Sequence, residues 1–124
     1  MKRFDRLRGT TVPPIHTLYD KVRYNLGGEV DKYTHVLTKP SCVMLFYRGN
    51  DIADVYENAK VICVNLINAA TPGFYPHLRG AVARINVLLR AKTQGDVKVS
   101  IKNGHPVLVG KSTTWQVFLF LIDE

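Results

Sequence analysis

Apolar residues recur along this chain in two rhythms, one near 3.6 residues and one of two, and their succession predicts the elements. Ile15, Leu18, Tyr19, Val22 and Leu26 keep the helical rhythm behind Pro13 and Pro14. Proline suits a first helical turn and Gly27-Gly28 supplies a stop, so a short helix is expected over about 14–26. Val30 to Thr38 (V-D-K-Y-T-H-V-L-T) is rich in β-branched and aromatic residues and reads as a strand. Pro40 interrupts the extended chain, and Ser41 to Arg48 is a short apolar run suited to a buried strand.

The longest stripe follows. Ile52, Val55, Tyr56, Ala59, Ile62, Cys63, Leu66 and Ala70 fit helical spacing and predict a central helix over about 51–70. Asn50 or Asp51 would cap it, Asp51 and Asp54 would suit the positive end of its dipole, and Pro72-Gly73 would end it. Thr71 to Gly80 reads as a loop. Ala81 to Lys92 fits both rhythms, and the alternation of Ile85, Val87 and Leu89 favours a strand.

Near the C-terminus, Val97, Val99 and Ile101 alternate with Lys98, Ser100 and Lys102, and Asn103-Gly104 is a strong hairpin signal. His105 to Val109 returns, Gly110-Lys111-Ser112 turns again, and Thr114 to Ile122 forms a last strand. Trp115, Val117, Leu119 and Leu121 share one face of it, and Gln116, Phe118, Phe120 and Ile122 the other. The expected fold is α+β. An antiparallel sheet with a C-terminal three-strand meander packs against the central helix and the shorter N-terminal one. One domain spans 11–124, preceded by a basic arm over 1–10.

Composition narrows the class. The chain has 124 residues, 46% hydrophobic and 22% charged, which is ordinary for one globular domain and excludes wholesale disorder. No apolar run approaches the ~18 residues of a membrane span. The first nine residues carry charge with no apolar region behind them, unlike a secretory signal. Cys42 and Cys63 lie in apolar stretches, as small buried hydrophobes in a reducing compartment do. An intracellular protein, cytoplasmic or nuclear, is expected.

Catalytic patterns are sparse. Two cysteines and His16, His35, His77 and His105 lack metal-site spacing, so neither metal nor cofactor is expected. Gly110-Lys111-Ser112-Thr113 looks like the end of a phosphate loop, but five residues separate Gly104 from Gly110 where the pattern needs four, and no helix follows. Turn chemistry explains it better. Nothing brings His35 to Cys42, and the acidic residues read as caps or isolated charges. The chain reads as non-enzymatic.

The remaining signal is charge: 17 Lys and Arg against 10 Asp and Glu, a formal net charge of +7. Lys2, Arg3, Arg6 and Arg8 form the arm. Arg84 and Arg90 would share the outward face of one strand, and Lys98 and Lys102 one face of another. Such a surface attracts nucleic acid, RNA or DNA, through its backbone, or an anionic membrane surface. Phe118, Phe120 and Ile122 would form an exposed apolar patch, which predicts a homo-oligomer unless the N-terminal helix covers it. Tyr75-Pro76-His77-Leu78 resembles the Y-P-x-L late-domain motif of viral matrix and structural proteins, a resemblance of four residues that implies a viral structural or accessory role. A protein–protein adaptor or inhibitor with incidental charge, and a small nuclease-like enzyme with a dispersed site, are the competing classes.

Overall fold

The computed structural model describes residues 14–66 and 75–121. Within them the class is α+β, with two α-helices and eight strands. The basic arm, including Lys2, Arg3, Arg6 and Arg8, lies outside the described residues, as does Ile122.

Helix α1 (Pro14–Arg23) buries Leu18 and Val22. It stops short of the expected boundary because Asn25 turns left-handed at φ 55. The Leu26 N–H then donates back to the Lys21 carbonyl at 2.8 Å, which satisfies an orphan helix-end carbonyl. Five strands follow as an antiparallel meander: β1 (Gly28–Asp31), β2 (Thr34–Thr38), β3 (Val43–Tyr47), β4 (Asn50–Tyr56) and β5 (Val61–Leu66). The expected strand over 30–38 is thus two strands. The Asp31 carboxylate accepts the Tyr33 N–H at 2.8 Å and turns the chain between them.

The helix expected over about 51–70 is, through Leu66, instead the hairpin of β4 and β5, and residues 67–70 lie outside the described residues. Two features made strand resemble helix. A bulge opposite Leu45 and Phe46 inserts one residue, so Ile52, Ala53 and Val55 are all buried at near-helical spacing. The turn at Lys60, left-handed at φ 57, then resets the phase for Ile62, Val64 and Leu66. A caps-and-stripe reading cannot see either shift. Strict alternation in β5, with Val61, Cys63 and Asn65 on the other face, was the signal for strand.

The opposite error occurs at α2 (Leu78–Thr93), where Ala81 to Lys92 is helical rather than a strand. Leu78, Ala81, Val82, Ile85, Leu88 and Leu89 are buried at i, i+3, i+4 and i+7 intervals. Val87 and Ala91 are also buried, and it was their added apolar positions that imitated alternation. Gly80 sits in this helix because a Cβ there would lie 2.5 Å from the Tyr47 hydroxyl oxygen.

Strands β6 (Val97–Lys102) and β7 (His105–Gly110) form the hairpin expected across Asn103-Gly104, as a separate two-stranded sheet. It is pinned to α2 by Asn86, whose side chain accepts the Val99 N–H at 2.7 Å and donates to the Val99 carbonyl at 2.9 Å. The last strand, β8 (Gln116–Leu121), does not pair with β7 to extend the meander. It returns to run parallel to β5 at the edge of the larger sheet, in the order β1-β2-β3-β4-β5-β8. A parallel partner needs a long crossover, and α2 with the β6–β7 hairpin provides it. The inward faces of the strands and both helices make one core, centred on Leu45, Ile62, Val64, Ile85 and Leu88. No described helix is long and apolar enough to cross a membrane.

Candidate functional site

Two hairpin turns meet at one end of the large sheet. The β1–β2 turn carries Lys32 and Tyr33, and the β3–β4 turn carries Arg48 and Gly49. Register puts them side by side, because Thr34 opposes Tyr47, and the Arg48 N–H donates to the Tyr33 carbonyl at 2.8 Å. The β3–β4 turn has two residues with positive φ, 52 at Arg48 and 81 at Gly49, the geometry that a two-residue hairpin demands. Asparagine or glycine is the usual occupant of the first position, and arginine is strained there. Its side chain has a defined place: the guanidinium lies over the Tyr33 ring, 3.9 Å from the centroid, and 5.6 Å from that of Tyr47. Its Nε donates to the Tyr47 hydroxyl at 3.3 Å, which raises its pKa above the ordinary arginine value. Lys32 stands 5.4 Å from the Tyr33 ring centre.

Stacking uses the face of the guanidinium and leaves N–H groups at its edge for an anion. Among the described residues no carboxylate is paired with Arg48. Tyr33 is 39% exposed, so an aromatic ring with two cations beside it keeps part of its surface in water.

Arg84, an expected binding residue, approaches this corner from α2 but is already engaged. It donates to Thr34 Oγ1 at 2.7 Å and to the Gly80 carbonyl at 3.0 Å, and pairs with Asp31 at 3.4 Å. It also lies 4.2 Å from the centre of the Tyr47 ring. It holds the corner together. The other expected cations do not gather with it. Because the segment is helical, Arg84 and Arg90 point about 120° apart and do not share an outward face. Arg90 instead lies 5.2 Å from the Tyr19 ring, on the side where α1 packs. Lys98 and Lys102 are exposed on β6, in the smaller sheet. Nothing in the spacing of Lys32, Tyr33 and Arg48 along the chain shows that they meet. The one local signal is Arg48-Gly49, which stands where a two-residue hairpin turn prefers Asn-Gly.

A second unrecognised feature lies on the sheet face opposite the helices. In a regular strand Asp51 and Asp54 would point to opposite faces, but the bulge puts both outward, opposite Phe46 and Met44. Each has one buried carboxylate oxygen with no hydrogen-bond partner. Burial is the main cause raising both pKa values, and Asp51, hydrogen-bonded to Asp54, is pushed up to about 7. Asp51 therefore holds the proton that the pair shares. Lys39 pulls both carboxyls down, and burial raises the neighbouring Cys63 thiol. Neither aspartate caps a helix, and both are only half-buried. No group of three or more His, Cys, Asp or Glu among the described residues is placed to hold a metal ion.

The remaining motifs resolve simply. Lys111, Ser112 and Thr113 line a cleft of about 360 Å³ with Trp115, but Ser112 Oγ accepts the Thr114 and Trp115 N–H groups, as a turn residue does. His35 stacks on Phe46 at 4.8 Å, away from any nucleophilic arrangement with Cys42. Both cysteines are free and half-buried, less enclosed than expected. Leu78 of the Y-P-x-L match is 5% exposed and belongs to the core, so the leucine of the motif is not offered to a partner. Phe118 and Phe120 are 40% and 45% exposed, and α1 packs on α2 and β1, leaving that face uncovered by either helix. The chain matches no protein-family model, no curated protein and no solved structure.

Proposed function

We propose that this is a small, basic, non-enzymatic binding protein that engages single-stranded nucleic acid, without sequence preference, through the Lys32–Tyr33–Arg48 corner, and that it self-associates. The observation that carries the reading is Arg48 in a left-handed turn, stacked 3.9 Å over an exposed tyrosine. An unpaired base would stack against the part of this guanidinium–ring pair that is open to water, while Lys32 and the edge N–H groups of Arg48 take neighbouring phosphates. A lipid headgroup has no ring to stack, so an anionic membrane uses less of this geometry. The formal net charge of +7 adds long-range attraction to either.

The test is fluorescence anisotropy of a labelled single-stranded oligonucleotide, titrated at several salt concentrations beside anionic vesicles. Tyr33→Ala should weaken binding by about five- to a hundredfold, the range of one lost base stack. Arg48→Ala should weaken binding and flatten its salt dependence by about one phosphate contact. Lys98→Ala should change affinity less than either. Binding to vesicles but not to oligonucleotides, or equal loss from all three variants, overturns the reading.

A further inference from the structure

The two edges of the large sheet differ in kind. β1 is four residues long, carries Glu29 and Asp31, and has a register shift, all of which discourage a further strand. β8 has none of these guards. Gln116 to Leu121 contains no charge, proline or glycine, and among the described residues no strand pairs with its outer side.

The direction of its backbone groups follows from one bond. The Gln116 N–H donates to the Lys60 carbonyl at 2.9 Å, so Gln116, Phe118 and Phe120 spend their ladder groups on β5. Val117, Leu119 and Leu121 therefore aim theirs at the free edge. The side chains divide oppositely. Val117 and Leu119 pack on the core, and Phe118 and Phe120 stand outward with ring centres 6.3 Å apart.

We infer that β8 pairs edge to edge and antiparallel with β8 of a second copy of this chain, about a two-fold axis at Leu119. This rests on the self-association half of the proposed function and gives it a register. An open ladder edge is a template for another strand, and among the described strands with an open edge, β1 carries Glu29 and Asp31, β6 carries Lys98 and Lys102, and β7 carries Pro106 and Gly110, which leaves β8 as the edge best matched to itself. In this register Leu119 faces Leu119, and Val117 faces Leu121. These are the residues whose N–H and C=O groups point outward, so the ladder closes without a shift. Phe118 then faces Phe120 as a non-hydrogen-bonded pair, the kind whose side chains approach most closely. Four phenylalanine rings become one apolar cluster across the joint sheet. The contact is isologous and closes at two copies, with no open edge left at β8. Each copy carries a formal net charge of +7, so added salt should tighten the pairing by screening repulsion. It should loosen nucleic-acid binding.

Sedimentation equilibrium over a concentration series is the experiment. The wild type should be dimeric, more tightly so as salt rises. Phe118→Lys with Phe120→Lys places like charges opposite each other twice and should give a folded monomer, checked by circular dichroism. Phe118→Lys with Phe120→Glu places opposite charges at the same positions and should restore the dimer. A wild type monomeric throughout the series overturns the pairing, and so does a Lys/Glu variant as monomeric as the Lys/Lys one. None of these changes touches Tyr33 or Arg48. Oligonucleotide binding by the monomeric variant thus separates failure of this pairing from failure of the nucleic-acid reading.

Discussion

Replacing Asp51 by Asn should stabilise the protein at alkaline pH and leave it little changed in acid. The bulge in β4 forces two carboxyls onto one partly buried patch, and burial raises the Asp51 pKa from 3.8 to about 7. The folded state then keeps a proton that the unfolded chain releases. Stability therefore falls as pH rises from about 4 to about 7, and the full penalty persists above that. Three units at about 1.4 kcal/mol each give an upper bound near 4 kcal/mol. Asp51 keeps substantial contact with water, and screening reduces the figure to about 1–2 kcal/mol. Asparagine is neutral at every pH and can donate a side-chain N–H to the Asp54 carboxylate, as protonated Asp51 does. Urea unfolding of both proteins at about pH 4.5 and pH 8 measures the difference, and subtraction cancels the titration of groups that do not interact with Asp51. The variant should gain about 1–2 kcal/mol at the higher pH and well under half of that at the lower. An equal gain at both pH values, or a loss at pH 8, refutes the shared-proton account of the pair.

Leu66→Ala should cost about 2–5 kcal/mol in urea unfolding, since Leu66 is 1% exposed on β5; a cost below ~1 kcal/mol would mean that this strand does not face the core. Gly80→Ala tests a sign. Alanine favours a helix by about 1 kcal/mol. Here, however, its Cβ meets the hydroxyl of Tyr47, a rigid side chain only 5% exposed. The net effect should be a lower melting temperature, and a higher one contradicts the packing of α2 on that ring.

The legible parts of the fold are those where one periodicity operates without interruption. Leu18 and Val22 in α1 and the Asn103-Gly104 hairpin are local signals, and both elements form where their residues imply. The middle of the chain misleads because distant partners set the phase. The bulge at Asp51 and Ile52 exists only through pairing with Leu45 and Phe46, and it converts strand burial into helical spacing. Ala81 to Lys92 is covered on several sides by α1, the large sheet and β6, so its apolar positions are too many to show one face. Likewise no local pattern tells β8 to leave β7 for β5, across a crossover from Leu66 to Gln116. The site follows the same rule. Net charge was legible as a number, but Tyr33 and Arg48 are fifteen residues apart and meet only through the register of β2 with β3. Phe118 and Phe120 were legible as an outward apolar pair because alternation along one strand sufficed.

If nucleic acid is held at the turn corner, and not by charge spread over the whole surface, its contacts are local. Amide chemical-shift mapping of the protein titrated with a short single-stranded oligonucleotide tests this most directly. The largest shifts are expected at Lys32, Tyr33, Arg48 and Gly49, with Lys98, Lys102 and Arg90 nearly unmoved. Shifts centred on Lys98 and Lys102, or spread evenly over the exposed lysines and arginines, would contradict it.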